Sequence, residues 1–85
     1  MGELAQLPNI GKTVEEQLIR AGISSVHELL ALGAEEAWLR IQKIDESACI
    51  HRLLALEGAI EGVKKTMLSA EVKAELEEFY NKHKK

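Results

Sequence analysis

One cysteine, one proline and three aromatic side chains are all that this 85-residue sequence holds of those types. The lone Cys49 excludes an intramolecular disulfide, and with it the stapled folds of small secreted proteins. With only Trp38, Phe79 and Tyr80 as aromatics, and with Ala, Leu, Glu and Lys preferred, the chain suits helices better than strands. An excess of positive charge is also missing: 11 Lys and Arg face 14 Asp and Glu, for a net charge of −3. That excludes a protein holding nucleic acid mainly by bulk charge. No run of 18 apolar residues occurs, so nothing reads as a membrane span. The opening Met1-Gly2-Glu3-Leu4-Ala5-Gln6 carries an acid where a secretory leader needs a base. Gln6 also departs from the Ser or Thr of a myristoylation signal. A cytoplasmic protein with no membrane partner is the expectation.

What is present is a hydrophobic share of 46% beside 29% charged residues, the balance of a globular domain rather than of a disordered tail. The length carries one domain, residues 1–85, with 82–85 as a frayed tail. Mass scaling leaves such a domain roughly 5,000 Å² of surface, much of it apolar, which keeps a homodimer open.

Turn and cap residues divide the chain into about five short helices. Leu7-Pro8-Asn9-Ile10-Gly11 reads as a tight turn, with Gly11 free to take a positive φ. Thr13 and Glu16 have the spacing of a capping box, and Val14, Leu18 and Ile19 form the stripe of the next helix, which Gly22 stops. Ser25 with Glu28 is a second capping box; Val26, Leu29 and Leu30 face inward, and Gly33 closes that helix. A third helix has Ala37, Trp38 and Ile41 as its stripe, with Glu35 and Glu36 early and Arg40 and Lys43 late, as its dipole favours. Asp45-Glu46-Ser47 opens the longest helix, about 47–64. Ile50, Leu53, Leu54, Leu56, Ile60 and Val63 cover more than one of its faces, which marks it as central. Gly58 and Gly62 within it predict a close helix crossing, with a dimer seam as the alternative. Ser69 caps a last helix with Val72, Leu76, Phe79 and Tyr80 on one face and Glu71, Glu75, Glu78 and Lys82 on the other. The result is an all-α bundle with helix-hairpin-helix or SAM-like orthogonal packing.

Residues 7–23 carry the most information. Their apolar-Pro-Asn-apolar-Gly turn, followed by a helix ending Ala21-Gly22-Ile23, resembles the second half of a helix-hairpin-helix motif. In that motif, backbone amides and a helix N-terminus hold a DNA phosphate, an arrangement with a sound physical basis. The resemblance implies a phosphate site at Asn9, Ile10, Gly11, Lys12 and Thr13. Asn9 stands where the pattern has its first glycine, and Glu15 and Glu16 in the first helical turn oppose an anion. A packing corner is therefore the competing reading.

The wider pattern is more specific. Leu-Pro-Asn-Ile-Gly (7–11), Ala-Gly-Ile-Ser-Ser-Val-His-Glu-Leu (21–29), Leu-Gly-Ala-Glu-Glu-Ala-Trp-Leu-Arg (32–40) and Leu-Ala-Leu-Glu-Gly-Ala-Ile-Glu-Gly-Val (54–63) follow in one order. Together they resemble the C-terminal domain of the TfoX/Sxy family of bacterial competence regulators, over roughly residues 6–80. The resemblance implies a non-enzymatic, all-α regulatory domain acting on DNA-uptake genes, with a protein of the transcription or competence machinery as its partner. Longer members of the family carry a further N-terminal α/β domain, so the chain is either a stand-alone version or an excised domain.

Other residues have modest roles. Trp38 reads as a core anchor with one edge wet, and Trp38, Phe79 and Tyr80 form the alternative partner-binding set. Cys49 reads as a small buried hydrophobe, and His27, His51 and His83 have no metal-type spacing, so no cofactor or metal is expected. Arg40, Lys43, Arg52, Lys64 and Lys65 form either one basic patch or a solvated surface. Glu75, Glu77 and Glu78 would meet a basic partner if they meet one at all. Gly11-Lys12-Thr13 lacks the glycine of a nucleotide-binding loop five residues upstream, where Gln6 stands.

Overall fold

The computed structural model describes residues 3–84, and every regular element in that range is helical. A 3₁₀ turn at Glu3–Gln6 leads through the turn of residues 7–11 into α1 (Lys12–Arg20). Helix α2 (Val26–Ile44), helix α3 (Ile50–Glu61), a 3₁₀ turn at Lys65–Met67 and helix α4 (Ala70–His83) follow. Helix α2 bends at Gly33, whose φ of 83° and ψ of 164° no helix accommodates. Its two halves therefore correspond to two of the five expected helices.

The caps explain most boundaries. Ile23 N–H reaches Leu18 O at 2.8 Å and Gly22 N–H reaches Ile19 O at 3.0 Å, a Schellman closure of α1 with Gly22 at φ 90°. Ser25 Oγ accepts from Glu28 N–H at 3.1 Å, while Glu28 accepts from Ser24 N–H, also at 3.1 Å. Ser69 caps α4 through Val72 N–H at 3.2 Å. The 3₁₀ segment is tied down from two sides: Glu3 accepts from Val26 N–H at 2.8 Å, and Ala5 N–H donates to Glu15 at 3.1 Å.

Three boundaries differ from expectation. The N-cap of helix α1 is Gly11, which is extended and makes no side-chain cap bond, so Thr13 lies inside the first turn and forms no capping box with Glu16. The positive φ of the turn falls on Asn9, at 68°, and not on Gly11. Helix α3 starts at Ile50 and not at 47, because Asp45 accepts from both Ser47 N–H and Ser47 Oγ–H. That local turn keeps the chain out of the helix until Cys49. The helix stops before Gly62, which takes a left-handed φ of 76°.

Helix α3 is central, packed against α2, α4 and the second 3₁₀ turn. Leu18, Ile23, Leu29, Trp38, Ile41, Leu53 and Leu56 are fully buried around it. Trp38 is 0% exposed, so the expected wet edge does not exist. Its Nε1–H donates to Cys49 O at 3.2 Å, and Phe79 and Tyr80 meet it edge-on at 6.2 and 5.6 Å. Helix α4 runs on through Lys82 to His83. Gln42 Nε2–H donates to His83 O at 2.7 Å, and the His83 ring lies 4.2 Å from Phe79. Met1, Gly2 and Lys85, on which the leader, acylation and tail readings touched, lie outside the described residues.

Among the described residues no second helix crosses at the glycines: Gly62 caps α3 with open space around it, and at Gly58 the close approach comes from the Asn9 side chain and the backbone of residues 63–65. A Cβ there would stand 2.4 Å from Asn9 Nδ2 and 2.7 Å from Val63 O. Gly58→Ala should gain about 1 kcal/mol of helix propensity and lose more than that to overpacking, which typically costs about 1–3 kcal/mol. The expected outcome is a lower urea midpoint. A midpoint at or above wild type would show that the Asn9 contact yields freely.

Candidate functional site

Two surfaces correspond to the residues singled out in the sequence. The first is the turn of residues 7–13. Asn9 faces inward: its Nδ2–H₂ donates to Val63 O at 2.9 Å and to Ala55 O at 3.5 Å, and its Oδ1 accepts from Lys65 N–H at 3.0 Å. Ile10 is buried, and its N–H donates to Leu7 O at 3.3 Å. Asn9 and Ile10 therefore hold the corner together. Gly11, Lys12 and Thr13 are exposed. The N–H groups of Lys12, Thr13 and Val14 stand in the first turn, where a helix offers no carbonyl; Glu15 N–H is the first to reach one, Gly11 O at 2.9 Å. Glu15 is buried and its carboxylate accepts from Ala5 N–H, whereas Glu16 is exposed. Upstream of the turn, the described residues form only the four-residue 3₁₀ segment.

The second surface is the flank of α4. Of the three aromatics expected to meet a partner, Trp38 is enclosed and takes no part in the surface, because α4 closes over it. Phe79 and Tyr80 are half-buried and offer one edge each. Beside them runs an open groove bounded by α2 at its bend, α3 and α4. Leu32, Val72 and Leu76 form its floor, and Glu35, Glu57 and Glu75 its walls. It continues along α4 past Glu78 and Phe79 to Lys82 and His83. A hydrogen bond with Glu61 pushes the Glu57 carboxyl up to about 7. Burial adds to the shift, as do the charges of Glu61, Glu35 and Glu75.

Of the two readings of the basic residues, the structure does not join Arg40 and Lys43 with Arg52 in one patch. Arg40 and Lys43 share a shallow depression with Arg20 and the half-exposed Ile44, and Arg40 Nε lies 3.3 Å from Glu36 Oε2. Arg52 is turned instead to Gln17 Oε1, and Gln17 Nε2–H donates to Asp45 at 2.9 Å. Among the described residues no group of His, Cys, Asp and Glu is placed to hold a metal ion, and no helix is long and apolar enough to cross a membrane. Of the carboxylates in the α4 groove, Glu75 belongs to the acidic stretch read from the sequence; its convergence with Glu35 and Glu57 was missed because the three lie on three helices. A further local signal was Glu57 and Glu61, like charges four apart on a helix.

Residues 1–80 match the family model of the TfoX C-terminal domain. The chain belongs to that family. It is 36% identical to Protein Sxy of Escherichia coli K12 over 76 residues, which is 89% of this chain and 36% of the relative. The chain thus spans about a third of that protein. Two crystal structures from Listeria monocytogenes share the fold. An uncharacterised protein in a triclinic form is 46% identical, with a TM-score of 0.92 over 93% of this chain and 90% of the other. A protein of unknown function in a tetragonal form is 45% identical, with a TM-score of 0.90 over 92% and 96%.

The electrostatics of the groove have a measurable consequence. The folded pKa of Glu57 lies above its ordinary value of 4.5, so folding favours the protonated form. Its contribution to stability is complete below about pH 4.5 and is lost as pH rises through about 7. Glu57→Gln should therefore melt higher than wild type at pH 8, with the difference closing towards pH 5. Parallel melting curves for the two proteins across that range would count against the crowding of carboxylates.

Proposed function

We propose that this domain is a non-enzymatic regulatory module of a bacterial competence-type regulator. It acts in the cytoplasm on the expression of DNA-uptake genes by binding a protein of the transcription or competence machinery. The match of residues 1–80 to the TfoX C-terminal domain carries the reading. The likeness to Sxy across most of the chain supports it. So does the use of polar side chains: Asn9, Gln17, Gln42 and Arg52 are all engaged in holding elements together. Removing the domain from its bacterial host should lower transcripts of DNA-uptake genes, and cross-linking in those cells should capture a protein of the transcription machinery. Unchanged transcripts with no captured protein would sink the reading.

One observation favours a second reading, weak and sequence-independent DNA binding through residues 7–13. The start of α1 is exposed and lacks a side-chain cap, Lys12 stands beside it, and the Glu15 carboxylate is held on the 3₁₀ segment. A phosphate there would meet free amides and the positive end of the helix dipole. Anisotropy of labelled duplex should then show weak binding at about 50 mM salt that fades by about 200 mM, with a log–log slope of about −0.9 per phosphate neutralised. Lys12→Glu should abolish it. Binding that survives this substitution, or none at all, leaves the turn as a packing corner.

A further inference from the structure

The groove flanking α4 combines an apolar floor with a rim of one charge. Leu32, Val72 and Leu76 line the floor, while Glu35 from α2, Glu57 from α3 and Glu75 from α4 converge on it. Among the described residues, no cation lines this inner half. At the outer end Lys82 is 3.7 Å from Glu78, so its charge is already answered. A second ion pair, Arg40 with Glu36, lies in a different depression. The free domain therefore keeps three carboxylates facing one another over apolar side chains. Val72 to Phe79 spans two turns of α4, about 10 Å, which suits two to three turns of a docked helix.

We propose that this groove docks a lysine- or arginine-rich amphipathic segment of a partner protein. Its apolar residues rest on half-buried Leu32 and Val72, beneath which Leu76 is buried, and its cations stand between Glu35, Glu57 and Glu75. The proposal rests on the reading of the domain as an interaction module and names the chemistry of the partner. Charge complementarity selects the occupant. A cation in the groove removes the mutual repulsion of the three carboxylates, whereas a nucleic-acid phosphate would add to it. The apolar floor adds what a point charge or a simple polyamine cannot use. Half-buried Phe79, at the continuation of the groove beside Glu75 and Glu78, gives the segment an aromatic edge.

The test is fluorescence polarisation of the intact chain with a labelled 12-residue helical peptide carrying Leu on one face and Lys on the other. The same peptide with Glu for Lys is the control. The lysine peptide should bind saturably below about 1 mM, and the glutamate peptide should not. Glu35→Lys with Glu75→Lys should weaken binding at least about tenfold, whereas Glu16→Lys with Glu77→Lys, the same charge change away from the inner groove, should change it by less than about threefold. Leu32→Ser should also weaken it, with circular dichroism melts confirming that each variant is folded. Binding should tighten between pH 6 and 8 as Glu57 loses its proton, facing Glu61, Glu35 and Glu75, and Glu57→Gln should flatten that trend. Equal losses in the two charge-reversed pairs would overturn the proposal, since net charge alone would then explain binding. No binding of the lysine peptide would overturn it as well. So would self-association in sedimentation that is lost on reversing Glu35 and Glu75, because the occupant would then be a second copy. A partner captured by cross-linking but unaffected by Glu35→Lys with Glu75→Lys would remove the groove while leaving the interaction module standing.

Discussion

The side chain of Asn9 is the contact on which the arrangement of the N-terminal third depends. A left-handed residue in the turn places its amide over Gly58, where the missing Cβ leaves room. From there it bonds Val63 O and Lys65 N–H, the groups exposed where α3 ends. One amide thus joins the start of the chain to the close of its central helix, across more than fifty residues. Asn suits this position twice over. It tolerates the left-handed conformation better than most residues, and it carries both a donor and an acceptor. Losing it would leave two backbone groups in a partly buried place without partners, which is more costly than the loss of a surface bond.

The same economy governs the other polar side chains. Gln17 joins α1 to Asp45 and Arg52, Gln42 holds the last turn of α4, and Glu3 and Glu15 fasten the 3₁₀ segment to α1 and α2. These bonds occupy residues that a list of candidate functional groups would otherwise contain. What they leave at the surface is a short exposed helix start, a shallow basic depression and the acidic groove along α4. The three are separate in their linings, so a domain of this size presents distinct faces of opposite charge.

Much of the fold was legible in the sequence. Helix type followed from composition, and Gly22, Ser25, Gly33 and Ser69 marked real boundaries because each cap is a local event within a few residues. The stripe of Ala37, Trp38 and Ile41 and the central position of α3 also followed from spacing. The misplaced boundaries share a cause. At Thr13 and at Asp45 a side-chain pattern suggested a cap, but which group serves was settled by distant contacts or by a competing turn. The turn of residues 7–11 was recognisable as a turn, yet the inward aim of Asn9 depends on Gly58, which no local pattern reveals. The α4 groove was less legible still. Its carboxylates are tens of residues apart and become neighbours only when three helices pack.

Trp38 is the single tryptophan, wholly enclosed between Cys49 O on one side and Phe79 and Tyr80 on the other. The intrinsic emission of this protein therefore reports from one place, the junction of α2, α3 and α4. An event confined to the turn of residues 7–13 would pass unseen by that signal, whereas any loosening of α4 would register at once. Nature has placed an internal optical gauge beneath the helix that walls the acidic groove.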